Sequence, residues 1–298
     1  MLRALFALIA LSIIWGYNWV VMKLALPFIG AMQFGAIRAF FASLMLFAFL
    51  LLLKKPLKLS QPGKTVLLGL LQTTGFVGLS VAALVQGGAG KVAVLVFSMP
   101  FWVLVLAWPM LDEKIHGLQW LTVLLAVAGL VGIVEPWNFH GYMLSNVLAV
   151  MAGASWALAV ILAKKMHKQE PNGDLLSLTA WQMLLGSIPL IILAFLIPAQ
   201  PIVWSGTLIA ATIFNIVLAN GLGWLVWLYA LQRLPAGMAS MNSLLIPVIA
   251  VLAAWLQLGE APSFNEGLGM LLIAIALGLI AILGMRSKQP VEPATGQD

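Results

Sequence analysis

Amide and indole side chains recur at helical spacing inside the apolar runs of this chain. Trp15 and Asn18 lie three residues apart, and Asn220, Trp224 and Trp227 repeat that pattern nearer the C-terminus. Residues at these spacings share one face of a helix. Such groups form hydrogen bonds and ring contacts but no covalent intermediates, so they favour non-covalent binding of a small amphipathic molecule.

Other polar or aromatic side chains within apolar runs are further candidates for lining the same site. They are Gln72, Phe76, Ser98, Trp102, Trp156 and Asn242. Each of these residues, taken alone, is also compatible with helix packing, and a tryptophan near a membrane surface often serves only as an interface residue. The prediction therefore concerns the set of residues.

The groups needed for covalent or metal chemistry are missing from the apolar runs. The chain has no cysteine, and its three aspartates and three histidines all lie between the runs: Asp112, Asp174, Asp298, His116, His140 and His167. Neither a GxSxG nor an HExxH motif occurs. The sequence therefore predicts no enzyme, no cofactor and no metal site. The basic residues form short scattered clusters, which gives no indication of nucleic-acid binding.

The elements that must position these residues are membrane-spanning helices. Hydrophobic residues make up 63% of the chain and charged residues 8%, against about 25% charged in soluble domains. Apolar runs long enough to cross a bilayer occur ten times, near 4–22, 31–53, 65–85, 91–110, 118–135, 142–163, 176–197, 206–230, 236–257 and 266–284. The predicted fold class is an all-α membrane protein with ten transmembrane helices.

The distribution of lysine and arginine predicts cytoplasmic N- and C-termini. With that orientation twelve basic residues lie on the cytoplasmic side: Arg3, Lys54, Lys55, Lys58, Lys64, Lys114, Lys164, Lys165, Lys168, Arg233, Arg286 and Lys288. Only Lys23 and Lys91 lie in outer loops. Positively charged loops stay on the cytoplasmic side, so this orientation is favoured.

The second half of the sequence resembles the first. A shift of 147 residues places Pro100 on Pro247, Trp108 on Trp255 and Glu113 on Glu260, and a shift of 141 places Trp15 on Trp156. Because each copy has five predicted crossings, the second copy enters the membrane in the opposite direction, as in many secondary transporters. We therefore expect repeats at 1–138 and 139–285, followed by a cytoplasmic polar tail at 286–298.

Three residues within the spans break the apolar pattern. Pro100 and Pro247 each leave a backbone carbonyl without its helical donor, and each is either a passive kink or a hinge beside the site. Arg38 is the one charge well inside a predicted span. It is either an interface anchor that snorkels or bonds helix-end carbonyls, or a group that attracts a substrate carboxylate or phosphate.

Several segments together resemble the ten-span EamA branch of the drug/metabolite transporter superfamily. They are WGYNWVVMK (15–23), FGAIRAFFASLML (34–46), SMPFWVLVLAWPMLDEK (98–114) and LIPVIAVLAAWLQLGE (245–260). The resemblance covers both halves. It implies a bacterial inner-membrane carrier, an exporter of amino acids or other small metabolites, with a central cavity lined by spans 1, 3, 4, 6, 8 and 9.

Other functions compatible with the sequence are drug or toxic-compound efflux, a channel and an intramembrane enzyme. The four-span multidrug relatives use a glutamate within their first span, and this chain has none there. No ring of charge or carbonyl-rich filter sequence indicates a channel. The partners expected are a small-molecule substrate and the lipid bilayer, and the sequence leaves monomer and homodimer equally open.

Overall fold

The computed structural model describes residues 2–111, 114–134, 142–231 and 242–286. Within these ranges the chain forms ten helices and no strand. The helices are α1 (Leu2–Ala25), α2 (Ala31–Leu52), α3 (Pro62–Gln86), α4 (Ala89–Leu111), α5 (Gln119–Val134), α6 (Met143–Gln169), α7 (Leu175–Leu196), α8 (Gly206–Leu231), α9 (Asn242–Leu258) and α10 (Phe264–Arg286). The turn expected near residues 86–91 is present at Gly87 and Gly88.

Eight of the described helices contain stretches long and apolar enough to cross a membrane, with mean hydropathies from 1.5 to 2.4. The remaining two, α5 and the Leu245–Leu258 part of α9, are shorter apolar helices. Large hydrophobic side chains such as Phe195 and Leu256 are more than four-fifths exposed, which suits lipid contact rather than water. The protein is an all-α, multi-pass membrane protein.

The hydrogen bonds at one end of the bundle show the relative directions of α1, α3 and α6. Lys23 Nζ, near the end of α1, donates to the carbonyl oxygens of Leu84 (2.7 Å) and Gly87 (2.9 Å), where α3 ends. Ser145 Oγ, where α6 begins, donates to the Ala83 carbonyl at 2.8 Å. We call this the Lys23 end. Since α1 ends there and α6 begins there, these two helices are antiparallel.

Polar side chains join loops at the opposite end, which we call the Asp174 end. Lys55, after α2, pairs with Asp174 at the start of α7 (2.6 Å). Glu170, after α6, accepts a hydrogen bond from Ser60 Oγ and lies 3.6 Å from Lys58 Nζ. The loop between α2 and α3 is thereby bound to the loop between α6 and α7.

Two helices contain a π-helical segment at the same position in each half. In α3, the π-helical segment Leu70–Gly75 separates α-helical Pro62–Gly69 from Phe76–Gln86. In α8, Phe214–Leu222 separates Gly206–Ile213 from Gly223–Leu231. A π-turn breaks the i to i−4 bonding pattern, so each segment changes which backbone groups are paired.

The helix α4 is interrupted where the sequence predicts a kink. Its α-helical parts are Ala89–Val96 and Met99–Leu111, and Phe97 and Ser98 form a turn between them. Pro100 is the second residue of the second part, where its missing N–H costs little. Pro247, its counterpart in the repeat, lies inside the continuous helix α9.

Glycines allow two helix pairs to cross at close range. A Cβ on Gly69 of α3 would lie 2.5 Å from the Gln182 carbonyl oxygen of α7. A Cβ on Gly129 of α5 would lie 2.7 Å from the Gly269 carbonyl oxygen of α10, and the reverse distance is 2.6 Å. Small residues that let backbones approach are typical of helix pairs in membranes.

Candidate substrate-binding site

An aromatic cluster joins the first helix to the eighth. The ring centroid of Trp15 lies 6.2 Å from that of Trp224 and 6.0 Å from that of Trp227. Trp15 Nε1 also donates to the Ala219 carbonyl oxygen at 2.7 Å, within the π-helical segment of α8. All three tryptophans, predicted as site residues, are only partly buried. Together the three rings form one aromatic surface that is partly exposed.

A second aromatic cluster joins the sixth helix to the third. The rings of Phe76 and Trp156 are 4.7 Å apart, and Phe97 of α4 lies 5.8 Å from Trp156. Ser155 Oγ donates to the Leu71 carbonyl oxygen at 2.8 Å, within the π-helical segment of α3. The predicted residues Phe76 and Trp156 are thus in direct contact.

The two clusters are built in the same way. At a shift of 148 residues Leu71 corresponds to Ala219, Gly75 to Gly223 and Phe76 to Trp224. In each half a side chain of the first helix of one half donates to the π-helical segment of the third helix of the other half. The accepting carbonyl thus lies at the same position of the repeat in both halves, whereas the donors, Trp15 and Ser155, are offset by one residue.

Glycine is required at the C-terminal end of each π-helical segment, at Gly75, its last residue, and at Gly223, the residue after it. A Cβ on Gly75 would lie 3.2 Å from the Leu70 carbonyl oxygen, and one on Gly223 would lie 3.1 Å from the Leu218 carbonyl oxygen. The Gly223 Cβ would also lie 2.8 Å from Trp15 Nε1. These glycines therefore leave room for the side-chain donors that reach the segments.

Asn220 and Asn18 are held differently. Asn220 Nδ2 donates to the Asn215 carbonyl oxygen at 2.7 Å, inside the π-helical segment. Asn18 is 6% exposed, and its Oδ1 has no hydrogen-bond partner within the described residues. An amide oxygen buried in an apolar bundle without a donor is costly, so Asn18 Oδ1 is an unused hydrogen-bond acceptor inside the bundle.

Arg38 is buried rather than exposed at the membrane surface. Its residue exposure is 7%, and its Nη1 contacts the sulfur of Met22 on α1. Among the described residues the guanidinium neither reaches helix-end carbonyls nor faces a carboxylate. A thioether is only a weak acceptor, so most of its donor capacity is unused.

The other predicted residues divide into three groups. Ser98 is fully buried, donates to the Leu95 carbonyl oxygen at 2.6 Å and accepts from Trp102 Nε1 at 3.1 Å. Gln72 lies half-buried in the π-helical segment of α3. The side chain of Asn242 lies outside the described residues.

Sequence reasoning did not single out Ser155, Thr212 or Asn215, although each is polar within an apolar run. Asn215 is fully buried, and Thr212 and Asn215 have oxygens without partners in the described part of the chain. The only signal was their polarity. Within those same ranges no group of three or more His, Asp or Glu is arranged to hold a metal ion.

Known proteins resemble the whole chain. An uncharacterized transporter of Bacillus subtilis, YoaV, is 29% identical over 93% of this chain and 96% of its own. A probable amino-acid metabolite efflux pump of Escherichia coli is 25% identical over 94% and 95%, respectively. A crystal structure of another protein superposes with a TM-score of 0.67 at 15% identity, covering 96% of this chain and 98% of that one, which shows a shared fold.

The model of the EamA-like transporter family matches the chain twice, at residues 2–135 and 143–282. Together the two matches cover nearly all the helices described above. The protein is a transporter of the drug/metabolite transporter superfamily, and the chain belongs to the EamA-like transporter family.

Proposed function

We propose that this protein is a secondary transporter that exports amino acids or similar small metabolites across a bacterial inner membrane by alternating access. The observation that carries the proposal is the matched pair of aromatic clusters, Trp15 with Trp224 and Phe76 with Trp156. Partly exposed rings near amide groups suit small molecules that have both polar and apolar parts. The relative named as an amino-acid metabolite efflux pump supports this substrate class.

The proposed architecture is ten crossings in two inverted five-helix repeats, 1–138 and 139–285, with both termini in the cytoplasm. The antiparallel directions of α1 and α6 and the corresponding contacts of the two π-helical segments support it. The two halves have the same elements in opposite orientations, so each half can adopt the conformation that the other half has. This exchange would open the site alternately to the two sides.

Contacts at the Lys23 end support a state that is closed there. Glu260, after α9, lies at the start of α4, with its Oε2 3.4 Å from the Gly90 amide nitrogen. Carboxylates are stabilised at helix N-termini. Lys91 on α4 pairs with Glu266 on α10 at 2.7 Å. These contacts join helices of the two proposed repeats.

The second part of α4 does not take part in this closure. Ala89–Val96 packs on α9, with Gly90 close to Val251 and Ala254. Met99–Leu111 packs on α6 instead. We propose that the paired halves of α4 and α9 separate when the site opens at the Lys23 end. Glu113, the counterpart of Glu260, lies outside the described residues.

The transport mode we propose is facilitated diffusion or exchange without obligatory proton coupling. The acidic residues lie at the ends of the predicted spans or outside them, and no span has a carboxylate or histidine near its middle. A proton-coupled carrier normally needs a titratable group within the membrane.

Counterflow in proteoliposomes tests the proposal. Vesicles containing the purified protein are loaded with an unlabelled mixture of the twenty amino acids and diluted into a trace of the labelled mixture. We expect saturable, protein-dependent accumulation of label that is unchanged by a pH gradient. Absence of counterflow for every amino acid would refute the substrate class, and a rate that does not saturate would indicate a channel.

A further inference from the structure

Arg38 has more hydrogen-bond donors than the described residues satisfy. Its guanidinium carries five N–H groups, and its contact among the described residues is the Met22 sulfur. The carboxylates that the structure describes lie at the two ends of the bundle. A buried charge without a counter-ion is strongly unfavourable, so its retention calls for an anion that the described residues do not supply.

Arg38 lies on the side of α2 that faces α8. Met45, seven residues further along and thus on the same side of α2, packs against Gly221 of α8. Both helices begin at the Lys23 end, α2 at Ala31 and α8 at Gly206. Counted from these starts, Arg38 lies at the depth of Thr212 and Asn215, about 10 Å along the helices.

Three oxygens at this depth lack a donor. They are Asn18 Oδ1, Thr212 Oγ1 and Asn215 Oδ1, on α1 and α8, and none has a partner within the described ranges. Asn18 and Asn215 are 6% and 0% exposed. Tyr17 of α1 and Phe214 of α8 pack with centroids 6.0 Å apart, which places Asn18 and Asn215 at the same helix crossing. Counted along the helices, the spare donors of Arg38 and these spare acceptors therefore lie at the same depth of the bundle.

We propose that this junction of α1, α2 and α8 binds the charged head of a zwitterionic α-amino acid. Arg38 binds the carboxylate, for which its planar donor fork is suited. Asn18 and Asn215 accept hydrogen bonds from the ammonium group. The unpartnered oxygens favour the amino acid over a phosphate dianion, because the ammonium group supplies hydrogen-bond donors for Asn18 and Asn215, whereas the dianion has none.

The position of the aromatic cluster fits the rest of such a molecule. Trp15 lies three residues before Asn18 on α1, so its ring is on the same face and one turn further from the Lys23 end. It contacts Trp224 and Trp227 there. The side chain of the amino acid would lie against these rings. This inference rests on the proposed function and assigns its substrate head group.

Substitution of Arg38 tests the assignment through stability and transport together. The variants are Arg38→Gln, Arg38→Lys and, as a matched control, the exposed Arg3→Gln. The probes are the mixture of twenty L-amino acids and the mixture of their α-carboxamides, which lack the carboxylate. Counterflow is measured in proteoliposomes, and the apparent melting temperature of the full chain is measured in detergent with each mixture.

We expect the amino acids, but not the carboxamides, to raise the melting temperature of the wild type and of Arg3→Gln. Arg38→Gln should lose counterflow at least tenfold and lose the ligand-induced shift. Its melting temperature without ligand should equal or exceed that of the wild type, because an uncompensated buried charge has been removed. Arg38→Lys should retain part of the binding.

Three results would overturn the assignment. Wild-type counterflow that survives in Arg38→Gln would remove Arg38 from the site while leaving the carrier proposal intact. A lower melting temperature of Arg38→Gln without ligand would assign Arg38 a structural role, and equal binding of carboxamides would exclude carboxylate recognition. Absence of amino-acid counterflow in the wild type itself would instead refute the proposed function, and this inference with it.

Discussion

At the level of single residues, the sequence identified those polar groups that are unfavourable in lipid unless they have a hydrogen-bond partner. Asn18 and Arg38 stood out because an amide or a guanidinium in an apolar run must have a partner. The structure shows that both are buried and poorly satisfied by the described residues. The sequence did not predict a single location for the Arg38 guanidinium, because its long side chain allows either snorkelling to the membrane surface or burial. Tertiary packing decides between the two.

Trp224 provides a direct test of the aromatic cluster. Trp224→Ala removes the ring that Trp15 contacts at 6.2 Å, and we expect amino-acid counterflow to fall at least fivefold. Protein abundance should be unchanged, because Trp224 is only half-buried and leaves no closed cavity. The matched control is Trp204→Ala, whose ring is 58% exposed in the loop before α8. Equal flux in both variants would contradict the cluster's role.

Glu170 gives a pH-dependent prediction at the Asp174 end. The hydrogen bond from Ser60 Oγ lowers the pKa of Glu170 below its ordinary value, and the nearby Lys58 charge acts in the same direction. A carboxylate with a lowered pKa in the folded state stabilises the protein above its unfolded pKa, about 4.3, and this stabilisation is lost as pH falls through the folded pKa.

We therefore expect Glu170→Gln to lower the melting temperature slightly at pH 7 and to have progressively less effect as the pH falls through the folded pKa of Glu170. The side chain is 35% exposed to solvent, so the difference should also shrink at high salt. Ser60→Ala, which removes the main cause of the pKa shift, should reproduce most of the effect. A difference between wild type and Glu170→Gln that stays constant with pH would contradict this explanation.

At the level of helices, the sequence predicts most elements and misses their irregularities. The length of the apolar runs and the two glycines Gly87 and Gly88 are local features of the sequence. They predict the helices and the turn between α3 and α4. The π-helical segments have no such signature, and each accepts a hydrogen bond from a side chain of another helix, Ser155 or Trp15. Of the local features of the sequence, only the paired glycines, Gly75 and Gly223, coincide with these segments.

The crossing of α5 and α10 should be intolerant of any added side chain. A Cβ on Gly269 would lie 2.6 Å from the Gly129 carbonyl oxygen and 3.0 Å from the Ile133 amide nitrogen. These are backbone atoms, so the helices must separate. We expect Gly269→Ala to destabilise the protein by about 1–3 kcal/mol, the usual cost of overpacking, measured by denaturation in detergent.

Gly278 on the same helix is the control, because no atom lies within 4 Å of a Cβ built there. Gly278→Ala should be as stable as the wild type or more so, since alanine has the higher helix propensity. Similar losses in both variants would show that helix propensity or membrane insertion, rather than the close crossing, determines the effect of alanine.

At the level of the whole molecule, the order of the helices could be predicted from the sequence, whereas the conformational state could not. The shift of 141 residues pairs Trp15 with Trp156, and the structure shows that each of them packs on the third helix of the other half. A sequence repeat describes both proposed conformations equally, because it contains no information on which end is closed. Contacts at Gly90 and Glu260 supply that information in the structure.

A reversible crosslink between α4 and α9 tests whether the Lys23 end must open during transport. A Cβ on Gly90 would lie 3.4 Å from the Ala254 Cβ, close to the spacing within a disulfide. The chain has no native cysteine, so Gly90→Cys with Ala254→Cys introduces a single possible pair. Oxidation should abolish counterflow and reductant should restore it, because the crosslink holds the proposed gate closed. If thiol labelling shows complete crosslinking and the oxidised protein still transports at the reduced rate, α4 and α9 do not separate at this end, and alternating access must use other helices.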